Sequence, residues 1–330
     1  MAKDIIFYLH AFTHLRIDYK YGGAPHKPVL VLSLINGFSE GLFTTSKIHI
    51  TPEFVGLFKS LWNKYVDSPR HTPRFSLPFY HLKNEKANYW RLIPNAECEK
   101  WVESKSSMRS FNSLKSAVAY AEIDIELAEL LLLEENRELL EMAILEKYFS
   151  HSSNANSKDY LNNISNEILN DSAEEYKQRI QKLQSLLDKS DFQEEIYVRS
   201  GRFKREVLSA YNDTCAISGL KITTTENISM LDACHIIPFS ETYDDTISNG
   251  IALTPTLHRA FDRGLIGINS SYEVVLSADF KENSSSPYCL SQFLGKRLIL
   301  PINTHKYPSK GKLQTQLLRY FKNGRFNEYN

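Results

Sequence analysis

The sequence predicts an α+β protein, with a mostly helical first domain that has a few short strands, a helical linker, and a second domain of short strands and helices. Three observations support this class. Apolar residues recur at helical spacing over long stretches, proline- and aromatic-rich segments interrupt them, and short apolar runs bounded by glycine mark strands towards the end of the chain.

The composition fits a globular protein of about two domains. The chain has 330 residues, of which 42% are hydrophobic and 24% are charged. No apolar run approaches the ~18 residues of a membrane span, and no signal peptide is apparent, so we expect a cytoplasmic protein without a membrane partner. The four cysteines are far apart and form no CxxC pair, which argues against a cysteine zinc site or a disulfide framework.

Charge is distributed unevenly along a chain whose net charge is zero. Residues 1–95 carry 12 basic and 6 acidic residues, residues 96–195 carry 11 and 21, and residues 196–330 carry 16 and 12. Two basic ends therefore flank an acidic middle. This pattern is compatible with two polyanion-binding domains in a neutral protein.

The first elements of the chain are predicted to be helical. Apolar residues recur at helical spacing from Ile5 to Leu15, and the glycine- and proline-containing segment 21–25 ends that helix. The apolar run 29–35 fits either a buried helix that begins near Pro28 or a buried strand.

A short strand and a second helix follow. Residues 48–50 read as a strand, and Thr51 followed by Pro52 is typical of the start of a helix, which we extend to Tyr65. Residues 69–94 are rich in proline and aromatic residues, so we expect loops and a short strand that suit a binding face.

The middle of the chain is predicted to consist of amphipathic helices. Residues 113–149 form one or two helices, and the polar segment 151–157 forms a linker. Residues 160–190 show a second helical pattern in an acidic region. This region is either a surface helix or a segment that separates the domains or mediates their dimerisation. The resulting domains are residues 1–150, 151–195 and 196–330.

The segment 215–268 carries the most informative pattern of polar residues. It reads as strand, loop and helix, with His235 at a strand end, His258 on the following helix and Asn249 between them. Imidazole is both a base near neutral pH and a metal ligand, and an asparagine can hold an imidazole in one tautomer by a hydrogen bond. A base, an orienting group and a metal ligand are what phosphodiester hydrolysis with one divalent cation requires.

This pattern resembles the HNH, or ββα-metal, nuclease family, in the subgroup without zinc knuckles. The order His235, Asn249, His258 carries the resemblance, framed by the strings ACHIIP, SNGIAL and LHRAFDRGLIGI, and it covers about residues 200–280. The resemblance implies that His235 is the general base, Asn249 the orienting asparagine and His258 a metal ligand. It implies Mg²⁺ or Mn²⁺ as the cofactor.

The residue before the general base departs from the family pattern. Many members have an aspartate ligand there, whereas this chain has Cys234. We predict that Asp232 or Asp262 supplies the carboxylate, which a hard cation such as Mg²⁺ prefers, and that Cys234 is a buried thiol. The departure leaves a DNA-binding module with an inactive HNH fold as an alternative.

Two motifs in the basic first segment indicate phosphate recognition. The string GAPHKPVLVL is a proline-braced turn that presents His26 and Lys27, and the string SLPFYHL is an apolar, proline-stiffened loop. Together these motifs resemble the DNA sulfur-binding domain of phosphorothioate-dependent restriction endonucleases. The resemblance covers about residues 1–150, and the family shares the order of sulfur reader followed by HNH domain.

The resemblance implies a role for each of these residues. His26 and Lys27 would contact the modified phosphate, and an apolar cup would desolvate sulfur more easily than oxygen. The cup would be shaped by Leu77, Pro78, Phe79 and His81. Leu77 replaces a common tyrosine and His81 a residue that is usually small or different, so another mark, such as a modified cytosine, is an alternative.

The function implied by the two resemblances is that of a type IV restriction endonuclease that cuts double-stranded, phosphorothioate-modified DNA. Duplex cleavage needs two nicks and one HNH unit has one active site, so we expect a homodimer. The basic C-terminal tail either contacts the DNA backbone or is a solvated helix. Its basic residues are Lys306, Lys310, Lys312, Arg319, Lys322 and Arg325.

Overall fold

The computed structural model describes residues 3–19, 23–103, 108, 110–150, 160–222, 229–278, 280–283 and 285–320. The chain divides into two compact units. Unit 1 comprises residues 1–163 and 186–201, and unit 2 comprises residues 164–185 and 202–330. The predicted polar linker, residues 151–157, lies outside the described residues. The mixture of helices and a few short strands confirms the predicted α+β class.

Unit 1 is built around a buried helix. The helices up to residue 149 are α1 Ile5–Thr13, α2 His26–Ser39, α3 Pro52–Tyr65, α4 Ser76–His81, α5 Glu99–Glu103, α6 Phe111–Ala117, α7 Ile125–Leu132 and α8 Glu134–Phe149. Helix α2 contacts α3, α4, α7 and α8. Its apolar residues are buried all round, as expected for a helix without a polar face, and this settles the helix-or-strand ambiguity at 29–35.

The predicted start of α3 is confirmed. The side chain of Thr51 accepts a hydrogen bond from the backbone N–H of Phe54 (3.2 Å), and Pro52 occupies the first turn, where its missing N–H is not needed. The helix ends at Tyr65, as the sequence predicts.

A three-stranded antiparallel sheet completes unit 1. Its strands are β1 Lys47–Ile48, β2 Trp90–Pro94 and β3 Val118–Ile123, in the order β1-β3-β2. The central strand β3 falls in the region 113–149, which was predicted to be wholly helical, so that prediction was wrong for these residues. The pairing of β3 with both neighbours, which lie far away in sequence, overrides the local helical pattern.

A second difference concerns residues 69–94. The motif SLPFYHL, predicted as a loop, forms α4, followed by a short 3₁₀ helix at Leu82–Asn84. Pro78 is tolerated because it lies in the first turn of this helix. Strand β2 was expected as the short strand of this segment.

Among the described residues, three helices lie between α8 and residue 215. They are α9 Tyr160–Asn170, α10 Ala173–Leu186 and α11 Lys189–Ala210. The stretch 151–195, predicted as an acidic linker, contributes its residues 164–185 to unit 2 and its residues 186–195 to unit 1.

Unit 2 contains two strand pairs and the remaining helices. The strands are β4 Asp232–His235, β5 Gly250–Leu253, β6 Ile266–Ile268 and β7 Val274–Leu276, and the helices are α12 Phe239–Thr242, α13 Pro255–Asp262 and α14 Lys310–Tyr320. β4 pairs with β5 and β6 with β7, both antiparallel. Among the described residues, no helix combines the length and apolarity needed to cross a lipid bilayer.

Candidate active site

The candidate active site lies in unit 2, where β4, β5 and α13 pack together. In the antiparallel pair, His235 at the end of β4 lies opposite Gly250. Successive side chains of a strand point to opposite faces, so Asp232 and Cys234 share one face of β4 while His235 projects from the other. The strand therefore serves two clusters of polar groups, one on each face.

The first cluster surrounds the imidazole of His235. Its Nε2 lies 2.7 Å from Oδ1 of Asp245, a carboxylate that is fully buried. The ring of Phe203, on α11, stacks on the imidazole with centroids 4.2 Å apart and an interplanar angle of 10°. Tyr176 donates to the other oxygen of Asp245 at 3.5 Å. His235 is thus held on one edge and one face, and it remains half-buried.

This arrangement selects the tautomer of His235. An ionised carboxylate only accepts hydrogen bonds, so Nε2 carries the proton that it donates to Asp245. The lone pair then lies on Nδ1, and a nitrogen with a lone pair can accept a proton. Asp245 was not singled out by the sequence, although it lies in the acidic stretch between His235 and Asn249, and that acidic stretch was the available signal.

Asn249 does not hold the imidazole directly, contrary to the role predicted from the sequence. Its buried side-chain oxygen accepts from the N–H of Ile237 (3.0 Å), and its amide nitrogen donates to the carbonyls of Ile237 and Asp244 (both 2.9 Å). Both amide hydrogens are used, so none is left for a ring. Asn249 instead joins the two ends of the segment 237–244, which connects β4 to Asp245.

The second cluster lies between β4 and α13. The ligand-type atoms of Cys234, His258 and Asp262 are all within 4.8 Å of one another. Nε2 of His258 is 3.3 Å from Asp262, and Sγ of Cys234 is 4.0 Å from the other oxygen of that carboxylate. His258 and Asp262 are one helical turn apart on α13, so they face the same side.

Asp232 approaches His258 from the other ring nitrogen. Its Oδ2 is 3.4 Å from Nδ1 of His258, and its Oδ1 is 3.5 Å from Nζ of Lys204. Of the two carboxylates predicted as ligands, Asp262 therefore joins the cluster with Cys234, while Asp232 contacts the opposite edge of the same ring. A carboxylate at the second nitrogen of a metal-binding histidine commonly fixes the orientation of the ring.

The donor set fits a divalent cation. One imidazole and one carboxylate, with a second carboxylate behind the imidazole, are ligands for Mn²⁺, Zn²⁺ and related ions, and the carboxylates also suit Mg²⁺. Cys234 is fully buried, as predicted. Burial, and then the negative charges of Asp262 and Asp232, raise the pKa of this thiol well above its usual value, so the thiol is neutral without an ion.

In unit 1, the structure places His26 at the start of α2, against a ring and a carbonyl. Its Nε2 lies 2.9 Å from the carbonyl oxygen of Thr72, and its ring is 4.7 Å from that of Trp62. Burial lowers the pKa of His26 to about 4, although the Thr72 hydrogen bond opposes the shift. The imidazole is therefore neutral near pH 7 and brings no positive charge to a phosphate.

Lys27 forms an ion pair with the buried carboxylate of Glu85. Its ammonium group also donates to the carbonyl of Arg16 at 2.9 Å. In the described structure, the charge of Lys27 is thus compensated within unit 1, and contact with a DNA phosphate would require sharing that charge with Glu85.

The predicted sulfur-cup residues lie together on α4. Pro78 and Phe79 are buried, and the ring of Phe79 packs at 5.3 Å from Phe75 and 5.1 Å from Trp90, within the core. Leu77 and His81 are half-buried. Burial, followed by the charges of Lys27 and Lys83, lowers the pKa of His81. Leu77 and His81 are therefore the residues of this motif that a ligand can contact.

Part of the basic tail is paired with the loop that follows β4. Lys312, on α14, lies 2.5 Å from Asp244, and Arg319 pairs with Glu241. These two residues hold α14 against the acidic loop. Lys322 and Arg325 lie outside the described residues.

Comparison with known proteins identifies the family of this segment. Residues 215–269 match the family model described as HNH endonuclease. Four solved chains match the structure, and one of them is a modification-dependent TagI restriction endonuclease, with 18% sequence identity and a TM-score of 0.27. That match covers 36% of this chain and 37% of the other, so the chain spans about a third of that enzyme's length. No curated protein matches.

Proposed function

We propose that this chain, whose residues 215–269 form an HNH endonuclease domain, is a modification-dependent endonuclease that hydrolyses DNA phosphodiester bonds. The single observation that carries the proposal is the placement of His235, held at Nε2 by buried Asp245, on the same strand as the cluster of Cys234, His258 and Asp262. A base that is held by a carboxylate, together with a set of cation ligands at the same strand, is the equipment that metal-assisted hydrolysis requires.

His235 acts as the general base. With Nε2–H donated to Asp245, Nδ1 removes a proton from water, and the hydroxide formed attacks the phosphorus atom. The imidazolium that results carries a positive charge next to the Asp245 carboxylate, which stabilises it. The stacked ring of Phe203 prevents the imidazole from rotating out of this geometry. The P–O bond to the leaving oxygen then breaks.

His258 and Asp262 would hold a divalent cation, with Cys234 beside them, and Asp232 fixes the ring of His258 from Nδ1. The cation, when bound, polarises the scissile phosphate and stabilises the negative charge on the leaving oxygen. Asp262 thereby replaces the aspartate that the family has at the position of Cys234. This replacement argues against the alternative of an inactive HNH fold.

The mark that we propose for unit 1 is a phosphorothioate, read at α4 by Leu77 and His81 over the buried Pro78 and Phe79. Half-buried apolar and weakly charged side chains suit sulfur, which is less well hydrated than oxygen. A second candidate is a modified cytosine. It is favoured by the neutral His26 and the ion-paired Lys27, which leave little positive charge for a phosphate in this region.

The test is digestion of one plasmid prepared in three forms: sulfur-modified, cytosine-modified and unmodified. With Mn²⁺, we expect the wild-type chain to cut the sulfur-modified plasmid and leave the unmodified copy intact, whereas preference for the cytosine-modified copy would select the second candidate. His235→Ala should abolish cutting of every form. Equal cutting by His235→Ala would overturn the assignment of the base, and no cutting by the wild type would overturn the nuclease itself.

We also propose that the active assembly contains two chains, because one HNH site makes one nick and a double-strand break needs two. We expect light scattering at assay concentration, with the marked duplex present, to give a protein mass of two chains. A mass of one chain during double-strand cleavage would contradict this. The double-stranded break itself is scored by the linear product of a singly marked plasmid.

A further inference from the structure

We infer that unit 2 has a second nucleic-acid site, a groove that binds an unpaired nucleotide next to the cation cluster, with its phosphate on Arg259 and Arg263 and its base on Tyr288. This inference rests on the proposed function, since it extends the DNA substrate beyond the scissile bond. The groove is a cavity of about 430 Å³ beside α13.

The two arginines form a charged row at the C-terminal end of α13, with Arg259 in its last turn and Arg263 as the residue that follows it. They are four residues apart, so they lie on one side of the helix, about 6 Å apart along its axis. Both side chains are exposed. Within the described part of the chain, neither guanidinium takes part in an ion pair. Like charges at this spacing destabilise a helix, and a bound anion between them relieves the repulsion.

The row adjoins the cation cluster. His258 and Asp262 each precede one of the two arginines in the sequence, and one residue corresponds to a rotation of about 100° around a helix. A DNA strand whose scissile phosphate lies at His258 and Asp262 can therefore continue onto the neighbouring face of the same helix. The next phosphate along the strand would meet guanidinium groups, which bind phosphate by paired hydrogen bonds.

Tyr288 also lines the groove. Its side chain is 88% exposed, so its ring is accessible to a ligand, and it lines the same cavity as Leu265 and Leu290. An exposed aromatic ring combined with basic side chains is the arrangement with which proteins bind single-stranded nucleic acid, because bases stack on the ring whatever their identity. The apolar floor and the ring fit a base, and the arginines fit its phosphate.

The arginines also have a purely structural explanation. They lie near the C-terminal end of α13, where positive charge stabilises a helix through its dipole. That role predicts a lower melting temperature on removing the charges and no change in DNA binding. The two explanations are separated by measuring both quantities on the same variants.

The experiment measures binding of the full chain to fluorescent single-stranded and duplex oligonucleotides in EDTA, over a range of salt concentrations. We expect Arg259→Gln with Arg263→Gln to weaken single-strand binding and to reduce its salt dependence by up to about 1.4, the slope of two phosphate contacts on a single strand. The matched control is Arg205→Gln with Arg297→Gln, which removes the same charge from exposed positions outside the groove.

Tyr288→Ala should weaken single-strand binding about tenfold, whereas Tyr288→Phe should retain it, since the ring is kept. Equal affinity of wild type and both groove variants, an equal effect of the control pair, or a wild type that does not bind single strands would each overturn the inference. Because binding is measured without metal, loss of cleavage does not affect this result. If the variants bind single strands as expected but the wild type cuts no DNA, the proposed nuclease function is contradicted and the groove is not.

Discussion

Asp245 contacts Nε2 of His235 at 2.7 Å, and this contact determines which ring nitrogen is left to accept a proton. Fully buried carboxylates are rare unless they are paired, and the partners of Asp245 are the imidazole and the hydroxyl of Tyr176. The pair resembles the arrangement by which an acidic residue holds a catalytic histidine in serine hydrolases. Its effect is measurable by an isosteric substitution.

We expect Asp245→Asn to lower kcat for DNA cleavage by about 100-fold or more, because an amide can donate to the ring and favour the wrong tautomer. The measurement is initial cleavage rate at saturating DNA and Mn²⁺. Asp213→Asn is the matched control, since Asp213 is exposed and its left-handed backbone tolerates asparagine. A rate for Asp245→Asn within twofold of the wild type would remove Asp245 from the mechanism.

A second residue-level prediction separates the two carboxylates at His258. Asp232→Asn should raise the Kd for Mn²⁺ by about 10-fold to 100-fold, since only the orientation of the ring loses support, and Asp262→Asn should raise it more, because it removes the proposed direct ligand. Isothermal titration with Mn²⁺ in the absence of DNA measures both. The assignment fails if Asp232→Asn has the larger effect, and the roles would then be exchanged.

Much of this site is predictable from residue types and order. His235 and His258 stand on the predicted strand end and helix, and Cys234 is the predicted buried thiol. The contact between His235 and Asp245 is not predictable, because it depends on how the intervening loop closes. For the same reason Asn249 was assigned to the ring, whereas its amide is used by the backbone at Ile237 and Asp244.

At the scale of elements, the packing of α11 against β5 places the ring of Phe203 over the imidazole of His235. Gly250, opposite His235 in the strand pair, has no side chain, and this absence lets Phe203 and Val207 approach the strand. A Cβ atom at this position would lie 2.4 Å from Cγ2 of Val207 and 3.0 Å from Cζ of Phe203. The stacking of Phe203 on His235 thus depends on a glycine in the neighbouring strand.

Gly250→Ala should therefore destabilise unit 2 by about 1–3 kcal/mol, the usual effect of overpacking. Because Phe203 must shift, the cleavage rate should also fall. Chemical unfolding followed by circular dichroism measures the stability. Gly311→Ala, on α14, is the control, because its nearest atom would be 3.8 Å away and alanine favours a helix. Equal stabilities of the two variants would contradict the packing argument.

The elements also show where local patterns are insufficient. The start of α3 at Thr51 and Pro52 follows from capping chemistry within four residues, and it was predicted correctly. Strand β3 was missed because its partners are β1 and β2, and α4 was missed because a proline in a first turn reads like a proline in a loop. The first failure involves contacts between residues distant in sequence, and the second depends on the position of the proline within the helix.

At the scale of the whole chain, the acidic middle is not simply a solvated surface. Glu194 and Glu195, on α11, are buried in unit 1 with Lys59, and Arg199 pairs with Glu195 at 3.0 Å. Counting charges along the sequence predicts an excess of negative surface there, whereas the fold neutralises part of it. Which acidic residues are buried cannot be known before the tertiary contacts are known.

Burial raises the pKa of Glu194 to about 7, although the charge of Lys59 opposes the shift. In the folded state Glu194 therefore keeps its proton up to a higher pH than in the unfolded state. Unit 1 should lose stability as the pH rises from about 4.5 to 7. All three tryptophans, Trp62, Trp90 and Trp101, lie in unit 1, so tryptophan fluorescence follows its unfolding.

We expect Glu194→Gln to remove this loss, making the variant more stable relative to the wild type at pH 8 than at pH 5 by on the order of 1–3 kcal/mol. Urea unfolding at the two pH values gives the comparison. Glu138→Gln, at an exposed position of α8, is the control and should not change the pH dependence. Parallel pH profiles of wild type and Glu194→Gln would show that Glu194 is ionised throughout.

The three amide contacts of Asn249 tie residues 237 and 244 together, so the short excursion that contains α12 leaves and re-enters the domain at one point. A loop whose two ends are held together in this way is suited to the insertion of additional residues. A peptide tag or an additional recognition segment placed near Ser240 would lengthen the excursion without moving its anchors. His235 and Asp245 would keep their contact while the surface above them acquired a new specificity.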